Sequence, residues 1–382
     1  MKTISIRDFG AVGDGLRDDT PAIQAALDAG AAVVELPQGN YLVKRPLLVH
    51  SHTHIKLADG TRVIQCGEVP KKRGDFLIRN ADLAGGNEDI TLTGGVWDGN
   101  NTGRLNVKCP DLFDTEGYSG ATMNFVNVKG LILSDFEIAN SVAFHVRMSQ
   151  LEDFTIRNLR FSGEKRAGNQ DGLHFGGAVR NGLIECIHAV TPGQTNDDLI
   201  ALNADDCVTR VDNFDLQRDV IENLVIRDIY AEDCHTLVRI LSVDAPIRNI
   251  TIENVRGGFR AYALNLDAAR YCRTPLFNDD ERPEGVGVLE NITISGLDVH
   301  RTRLGNDVAY IVCESRAKNF TVKDFKRNTV LEQDPDSPTL RVVNVTNMSV
   351  TATQQGKETA YSVKEKAEEL VLYGDLEKLV LN

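Results

Sequence analysis

The chain is written in short apolar alternations rather than long amphipathic runs. A polar residue, often Asn, is followed by apolar positions two apart, and this phrase returns along the sequence. The copies are Asn87-Glu-Asp-Ile-Thr-Leu, Val128-Lys-Gly-Leu-Ile-Leu, Leu151-Glu-Asp-Phe-Thr-Ile, Val179-Arg-Asn-Gly-Leu-Ile, Ile221-Glu-Asn-Leu-Val-Ile, Ile247-Arg-Asn-Ile-Thr-Ile, Leu289-Glu-Asn-Ile-Thr-Ile, Ala317-Lys-Asn-Phe-Thr-Val and Val345-Thr-Asn-Met-Ser-Val. The first apolar residue after the polar pair falls at 131, 154, 183, 224, 250, 292, 320 and 348. Five of these seven steps lie between 23 and 29 residues, and the other two fit one unit carrying an inserted loop. Period-two alternation in short runs predicts strands. A recurring unit of this size predicts a solenoid of stacked rungs, because a β-sandwich has strands at closer spacing and no recurring phrase. Ile250, Ile252, Ile292 and Ile294 then form inward apolar ladders. The Asn residues sit at the turn entering each strand, where Asn tolerates turn conformations and stacked amides can hydrogen-bond.

Most units carry a second strand: Ala143-Phe-His-Val-Arg, Gly172-Leu-His-Phe, Leu199-Ile-Ala-Leu, Leu237-Val-Arg-Ile, Ala263-Leu-Asn-Leu and Val308-Ala-Tyr-Ile-Val. The alternation assigns Phe144, Val146, Leu173, Phe175, Ile200, Leu202, Val238, Ile240, Leu264 and Leu266 to the inside. The opposite parity, His145, His174, Ala201, Arg239 and Asn265, faces out. Two His and one Arg in a row read as the lining of a cleft, against the plainer reading of a polar outer face.

The ends differ from the middle. Residues 1–45 are expected to form an N-terminal cap, with a helix that starts at Thr20 as N-cap and Pro21 at the first helical position and stops at Gly30. Residues 46–350 supply the rungs, with loop insertions near 204–218 and 267–285, and the charged, non-repetitive tail 351–382 forms a C-terminal cap. All of this is expected to be one domain, 1–382. Gly10, Gly13 and Gly15 read as turn residues, because no strand-to-helix turn holds them in the order a phosphate loop needs.

Composition narrows the partners. The formal charge is −13 over 382 residues, from 55 acidic and 42 basic side chains, which argues against nucleic acid or an anionic membrane as a partner. No apolar stretch approaches the roughly 20 residues of a membrane span. The first residues lack an apolar signal region, so the protein is expected to be cytoplasmic, or secreted with its leader already removed. The seven cysteines are widely spaced with no CxxC, which speaks for reduced thiols.

The N-terminal run Phe9-Gly-Ala-Val-Gly-Asp-Gly, Asp18-Asp-Thr, Ala22-Ile-Gln-Ala-Ala and Leu36-Pro-Gln-Gly-Asn-Tyr resembles the cap of the pectate-lyase-like superfamily. The resemblance implies an all-β fold: a single-stranded right-handed parallel β-helix with an N-terminal helical cap. A narrower resemblance is to glycoside hydrolase family 28, the polygalacturonase family. Asn169-Gln-Asp-Gly-Leu-His-Phe is similar to its NTDGIDI motif, Asn196-Asp-Asp-Leu-Ile-Ala-Leu to its DDCIAI motif one rung later, and Cys234-His-Thr-Leu-Val-Arg-Ile falls where its GHGISIG motif would lie. This implies catalytic roles for Asp171, Asp197 and Asp198. Two departures stand out. The place of the family's carboxylate-binding RIKT motif holds Ala263-Leu-Asn-Leu, leaving Arg239 one rung earlier as the candidate substitute. The glycines flanking the motif's His are Cys234 and Thr236.

The chemistry also follows from the residues. Glycoside hydrolysis needs one carboxylic acid to protonate the leaving oxygen and a carboxylate to activate water. Three crowded carboxyl groups cannot all ionise easily, so one proton is retained near pH ~6. By the family's pattern Asp197 is the acid and Asp171 and Asp198 hold the water, which implies inversion. His145, His174, His235, Arg239 and Asn265 are candidate substrate contacts, joined by Arg270 and Tyr271 from the second insertion, and Asp205 and Asp206 are candidate rim residues. No cofactor is expected, although Asp197, Asp198, Asp205 and Asp206 could instead hold Ca²⁺. The expected partner is a plant or microbial carbohydrate, with oligomerisation open. The alternatives are a polysaccharide lyase or fructotransferase-type enzyme, with Arg239 and His174 as neutraliser and base, or a non-catalytic carbohydrate-binding, tailspike-like protein.

Overall fold

The computed structural model describes residues 2–67, 76–101, 121–205, 216–268, 285–304, 308–354, 356–365 and 367–382. Successive units pair parallel and in register. Leu151 faces Val179, which faces Ile221, then Ile247, Leu289 and Ala317. Farther along the same strands Ile156, Ile184, Ile226, Ile252, Ile294 and Val322 form one buried column. The chain is therefore a parallel β-helix, and its core is a set of such columns, each buried aliphatic side chain contributing about 1.5–3 kcal/mol. In the unit beginning at Val179 the position opposite Phe154 and Leu224 is Gly182 rather than Leu183. The Phe154 ring fills the missing volume, since a Cβ on Gly182 would lie 2.1 Å from it.

The turn before each phrase strand is left-handed. Asn181, Asn223, Asn249, Asn291 and Asn319 have φ between 53° and 59°, a region Asn enters at less cost than most residues. Their side chains stack along the coil. Asn223 Nδ2 donates to Asn181 Oδ1 at 3.1 Å, Asn249 to Asn223 at 2.9 Å, Asn291 to Asn249 at 3.0 Å and Asn319 to Asn291 at 2.9 Å. Asn181 donates to the Asp153 carboxylate at 3.1 Å. A second left-handed column includes Asp135, Asn158, Asp228 and Asn254, with Asn158 donating to Asp135 and Asn254 to Asp228.

The helix runs over Thr20–Asp28 with Asp19, not Thr20, in the N-cap position. The Asp19 carboxylate is occupied by the backbone N–H groups of Val12 and Gly13, and the Thr20 hydroxyl accepts from Lys44 N. Ile23, Ala26 and Leu27 insert into the same core as Val34, Leu36 and Tyr41. At the other end the strand direction reverses. Asp375–Leu381 pairs antiparallel with Ala317–Arg327 and with Met348–Gln354, and Ala367–Leu372 pairs antiparallel with Leu340–Val345. Among the described residues no helix is long and apolar enough to cross a membrane, and Cys66, Cys186, Cys234 and Cys313 are free thiols.

Candidate active site

The second strands place one side chain per rung in a column on the face opposite the core: Arg147, His174, Ala201, Arg239 and Asn265. Their neighbours Val146, Met148, Leu173, Phe175, Ile200, Leu202, Val238 and Ile240 are all core residues, as the two-residue period requires. The register corrects the expectation for the first of these strands. Val146, not Phe144, faces Leu173, so Arg147 takes the place assigned to His145. His145 is not a cleft residue. It is wholly buried, its ring lies 4.7 Å from Phe161, and its Nδ1–H donates to the Asp171 carbonyl at 2.8 Å. Burial pushes its pKa down to about 4, so it stays neutral. Phe144 leaves the core column too and lies against His174, with ring centroids 4.5 Å apart.

Asp171 and Asp198 stand on adjacent rungs just ahead of this column. Gly172 N donates to the Asp198 carbonyl at 2.9 Å, and Leu173 faces Ile200. Both aspartates are buried. One Asp171 oxygen lies 2.6 Å from His174 Nδ1. Among the described residues Asp198 Oδ2 is buried without a hydrogen-bond partner, and Arg239 Nη1 lies 3.6 Å from it. Arg239 is anchored from behind, its Nε and Nη2 donating to Asp267 at 3.1 and 2.7 Å. Asp197, with 29% of its side chain exposed, approaches His235 Nδ1 at 3.6 Å, and that imidazole is 42% exposed. Donor atoms of Asp197, Asp198 and His235 all lie within 4.8 Å of one another.

Burial sets the electrostatics of this cluster. It pushes the Asp171 carboxyl up to about 6, reinforced by the charge of Asp197 and opposed by His174 and Arg239. The same burial, with the charges of Asp197 and Asp171, raises Asp198 well above an ordinary carboxyl despite Arg239. His235 is lowered, first by burial and further by Arg260 and Arg239, although Asp197 acts in the opposite direction. A site of this kind holds a proton in a carboxyl cluster where surface aspartates would have lost it.

Three residues at the site were not foreseen. Arg147 abuts His174 in the column and donates to Asn124 at 2.7 Å. Arg260 bonds Asn196 Oδ1 at 2.8 Å and the Asp233 carbonyl at 2.7 Å, tying down the segment that carries Asp197. Tyr262 follows Asp198 and Thr236 in register, and its ring is edge-on to His235. Aligning the second strands on Leu173 and Ile200 would have revealed Arg147 and Tyr262. Asn265 is half-buried next to Arg239. Asp205 is not a rim residue: its buried carboxylate accepts from the backbone N–H groups of Val243, Asp244 and Ala245 and pairs with Arg218 at 2.8 Å. It is therefore engaged elsewhere than in the acidic cluster proposed for Ca²⁺. Asp206, Arg270 and Tyr271 lie outside the described residues.

The first insertion returns as a strap. Gln217 N donates to Ser149 Oγ at 3.1 Å, and Gly177 N donates to the Gln217 carbonyl at 2.8 Å. Leu216 covers Gly176, and a Cβ on Gly177 would lie 2.3 Å from Asp219 N. These two glycines let a second layer of chain cross the rungs just beyond the Arg147–His174 column.

With 33% identity over 170 residues, the chain is similar to plasmin and fibronectin-binding protein A of Streptococcus pneumoniae R6, covering 41% of this chain and 20% of that protein. It is 27% identical over 214 residues to the polygalacturonase of Persea americana, covering 53% of this chain and 44% of that one. The alignments thus span less than half the length of either relative. The structure of a hyperthermoactive exopolygalacturonase from Thermotoga maritima superposes with a TM-score of 0.53 at 15% identity, over 98% of this chain and 95% of the other, which marks a shared fold. Residues 3–260, more than half of the sequence, match the family described as rhamnogalacturonase A/epimerase, pectate lyase-like, and the chain belongs to that family.

Proposed function

We propose that the protein is an inverting glycoside hydrolase acting on a pectin-related or other plant or microbial oligo- or polysaccharide, built as a single right-handed parallel β-helix domain capped by the Thr20–Asp28 helix. The observation that carries the reading is the placement of two buried carboxyl groups, Asp171 and Asp198, on adjacent rungs beside the more exposed Asp197. Asp197 is the general acid, because it is the carboxyl of the three that a bound glycosidic oxygen can reach from solvent, and in the reactive form it carries the one proton that the crowded cluster shares. Asp171 and Asp198 hold a water between rungs. That water attacks the anomeric carbon, the bond to the leaving oxygen breaks, the Asp197 proton passes to that oxygen, and the proton released by the water is taken up by the Asp171–Asp198 pair. His235 and Tyr262 border the sugar on the Asp197 side, with Arg239 on the rung of His235 and Asn265 on the rung of Tyr262. Arg239 supplies positive charge beside Asp198, so the scheme calls for no metal ion.

Two observations weigh against the lyase reading. Elimination needs a free cation for the uronate and a base, but Arg239 already holds Asp267 and His174 already holds Asp171. The pneumococcal relative, a plasmin- and fibronectin-binding protein by name, supports a second reading as a non-catalytic binding protein. Replacing Asp197 with Asn decides between them. In a screen of pectic oligosaccharides the parent is expected to release reducing ends without the ultraviolet absorbance of an unsaturated uronate, and D197N to lose about 10²–10⁴-fold in turnover with an unchanged circular dichroism spectrum. A parent that binds glycans and cleaves none would establish the second reading.

A further inference from the structure

The position that follows Asp171 by three residues is held by His174, where the motif resembled by Asn169–Phe175 carries a second Asp. The structure gives this exchange a physical content. His174 Nδ1 and Asp171 Oδ2 are 2.6 Å apart, and both side chains are 4% exposed. The imidazole cannot swing away freely: Phe144 lies against one side of it, and Arg147 and Ala201 flank it on the adjoining rungs. The Asp171 main chain is pinned as well, its carbonyl accepting from both the backbone N–H and the Nδ1–H of His145. One oxygen of a buried carboxylate is therefore fixed by a charge-assisted or neutral N–H donor, leaving the other oxygen for the water.

We infer that His174 is a positioning residue for Asp171, orienting its carboxylate and keeping it in the proton-accepting form that water activation requires. The inference rests on the hydrolase reading above and extends it. Around Asp171 the charged groups pull in opposite directions. Asp197 and burial favour the protonated carboxyl, while His174 and Arg239 favour the carboxylate. Asp198 on the next rung is a further like charge when ionised, and Arg147 adjoins His174 from the other side. A fourth carboxyl at 174 would add to the first set; an imidazole adds to the second. The exchange thus extends the working range of the base toward acid.

The test uses three variants of the full chain. H174N keeps an N–H donor near the Nδ1 position, H174L removes the donor, and H174D restores a carboxyl. Titration of Asp171 is followed by ¹³Cγ NMR of Asp-labelled protein, with D171N assigning the signal, and turnover is followed against pH. The Asp171 titration is expected to move up by about 1–3 pH units in H174L, at least as far in H174D, and least in H174N. The acid limb of kcat should move with it, so that H174L loses about tenfold or more at pH 5 while recovering toward the parent at pH 8. A purely structural role would lower kcat equally at all pH values. An unmoved titration in H174D and H174L overturns the inference, as does a titration that moves without the acid limb. If H174L fails to fold, the order of H174D and H174N against the parent decides. If the parent cleaves no glycan, the hydrolase reading falls and with it the catalytic part of the inference, while the titration still establishes or refutes the Asp171–His174 pairing.

Discussion

Asp171 has a cost as well as a use. Its folded-state pKa is raised from 3.8 to about 6, chiefly by burial, so the folded chain binds a proton that the unfolded chain has released. That contribution to stability is complete below about pH 4 and is lost as the pH rises through 6. At pH 7 the ionised carboxylate therefore destabilises the fold by up to about 3 kcal/mol. D171N, whose side-chain oxygen can still accept from His174, is expected to unfold at higher denaturant than the parent at pH 7, and the gain should vanish near pH 4. Urea melts at the two pH values check it, and an equal gain at both would show that the charge is not its source. The aspartates of the site were visible in the sequence because they directly precede the second strands of consecutive units. The fate of Asp205 was not: its acidic pair with Asp206 reads like Asp197-Asp198, and only the folded chain brings the amides of Val243, Asp244 and Ala245 onto it. His145 was misread for a related reason: it shares the parity of Arg147, and the pattern carries no mark of which of the two stands level with His174.

At the scale of the element, register decides what the pattern leaves open. Phrase strands were legible because each begins at an Asn, Asp or Gly turn and most alternate cleanly. The segment Ala143-Phe-His-Val-Arg carries apolar Phe144 and Val146 at one parity and polar His145 and Arg147 at the other, so a slip of two residues keeps every side chain on its face, costs nothing in the pattern and moves Arg147 out of the column. In the unit holding Gly182 the next apolar residue, Leu183, is a false start, corrected only by Phe154 filling the space. The turns themselves make a sharper prediction. N249A loses two amide hydrogen bonds and places Ala at φ 57°; a loss of about 1–3 kcal/mol is expected. N249G relieves the backbone alone and should recover only part of it. Chemical denaturation of the three proteins separates the two contributions, and equal stability of N249G and the parent would remove the amide ladder from the account.

For the whole molecule, the repeat made the stacking of parallel strands predictable, while the C-terminal end had to be seen. A tail without the phrase gives no hint that it turns back antiparallel, because its strands are short and half exposed. Their pairing covers the edges of Ala317–Arg327 and Leu340–Val345, and open edges of this kind recruit other chains. Removal of residues 357–382 should therefore produce concentration-dependent self-association, detectable by sedimentation, whereas the parent should not show it through this edge. The amide ladder also has a direction. Every link donates from the later rung to the earlier one, and the row terminates on the carboxylate of Asp153. The group dipoles thus add head to tail, and a negative charge sits where their positive poles emerge, much as an acidic residue complements the start of a helix. The stack is electrically polar along its axis, so a transplanted unit fits one orientation only, and a neutral amide at 153 would keep the row intact but leave its leading pole uncompensated.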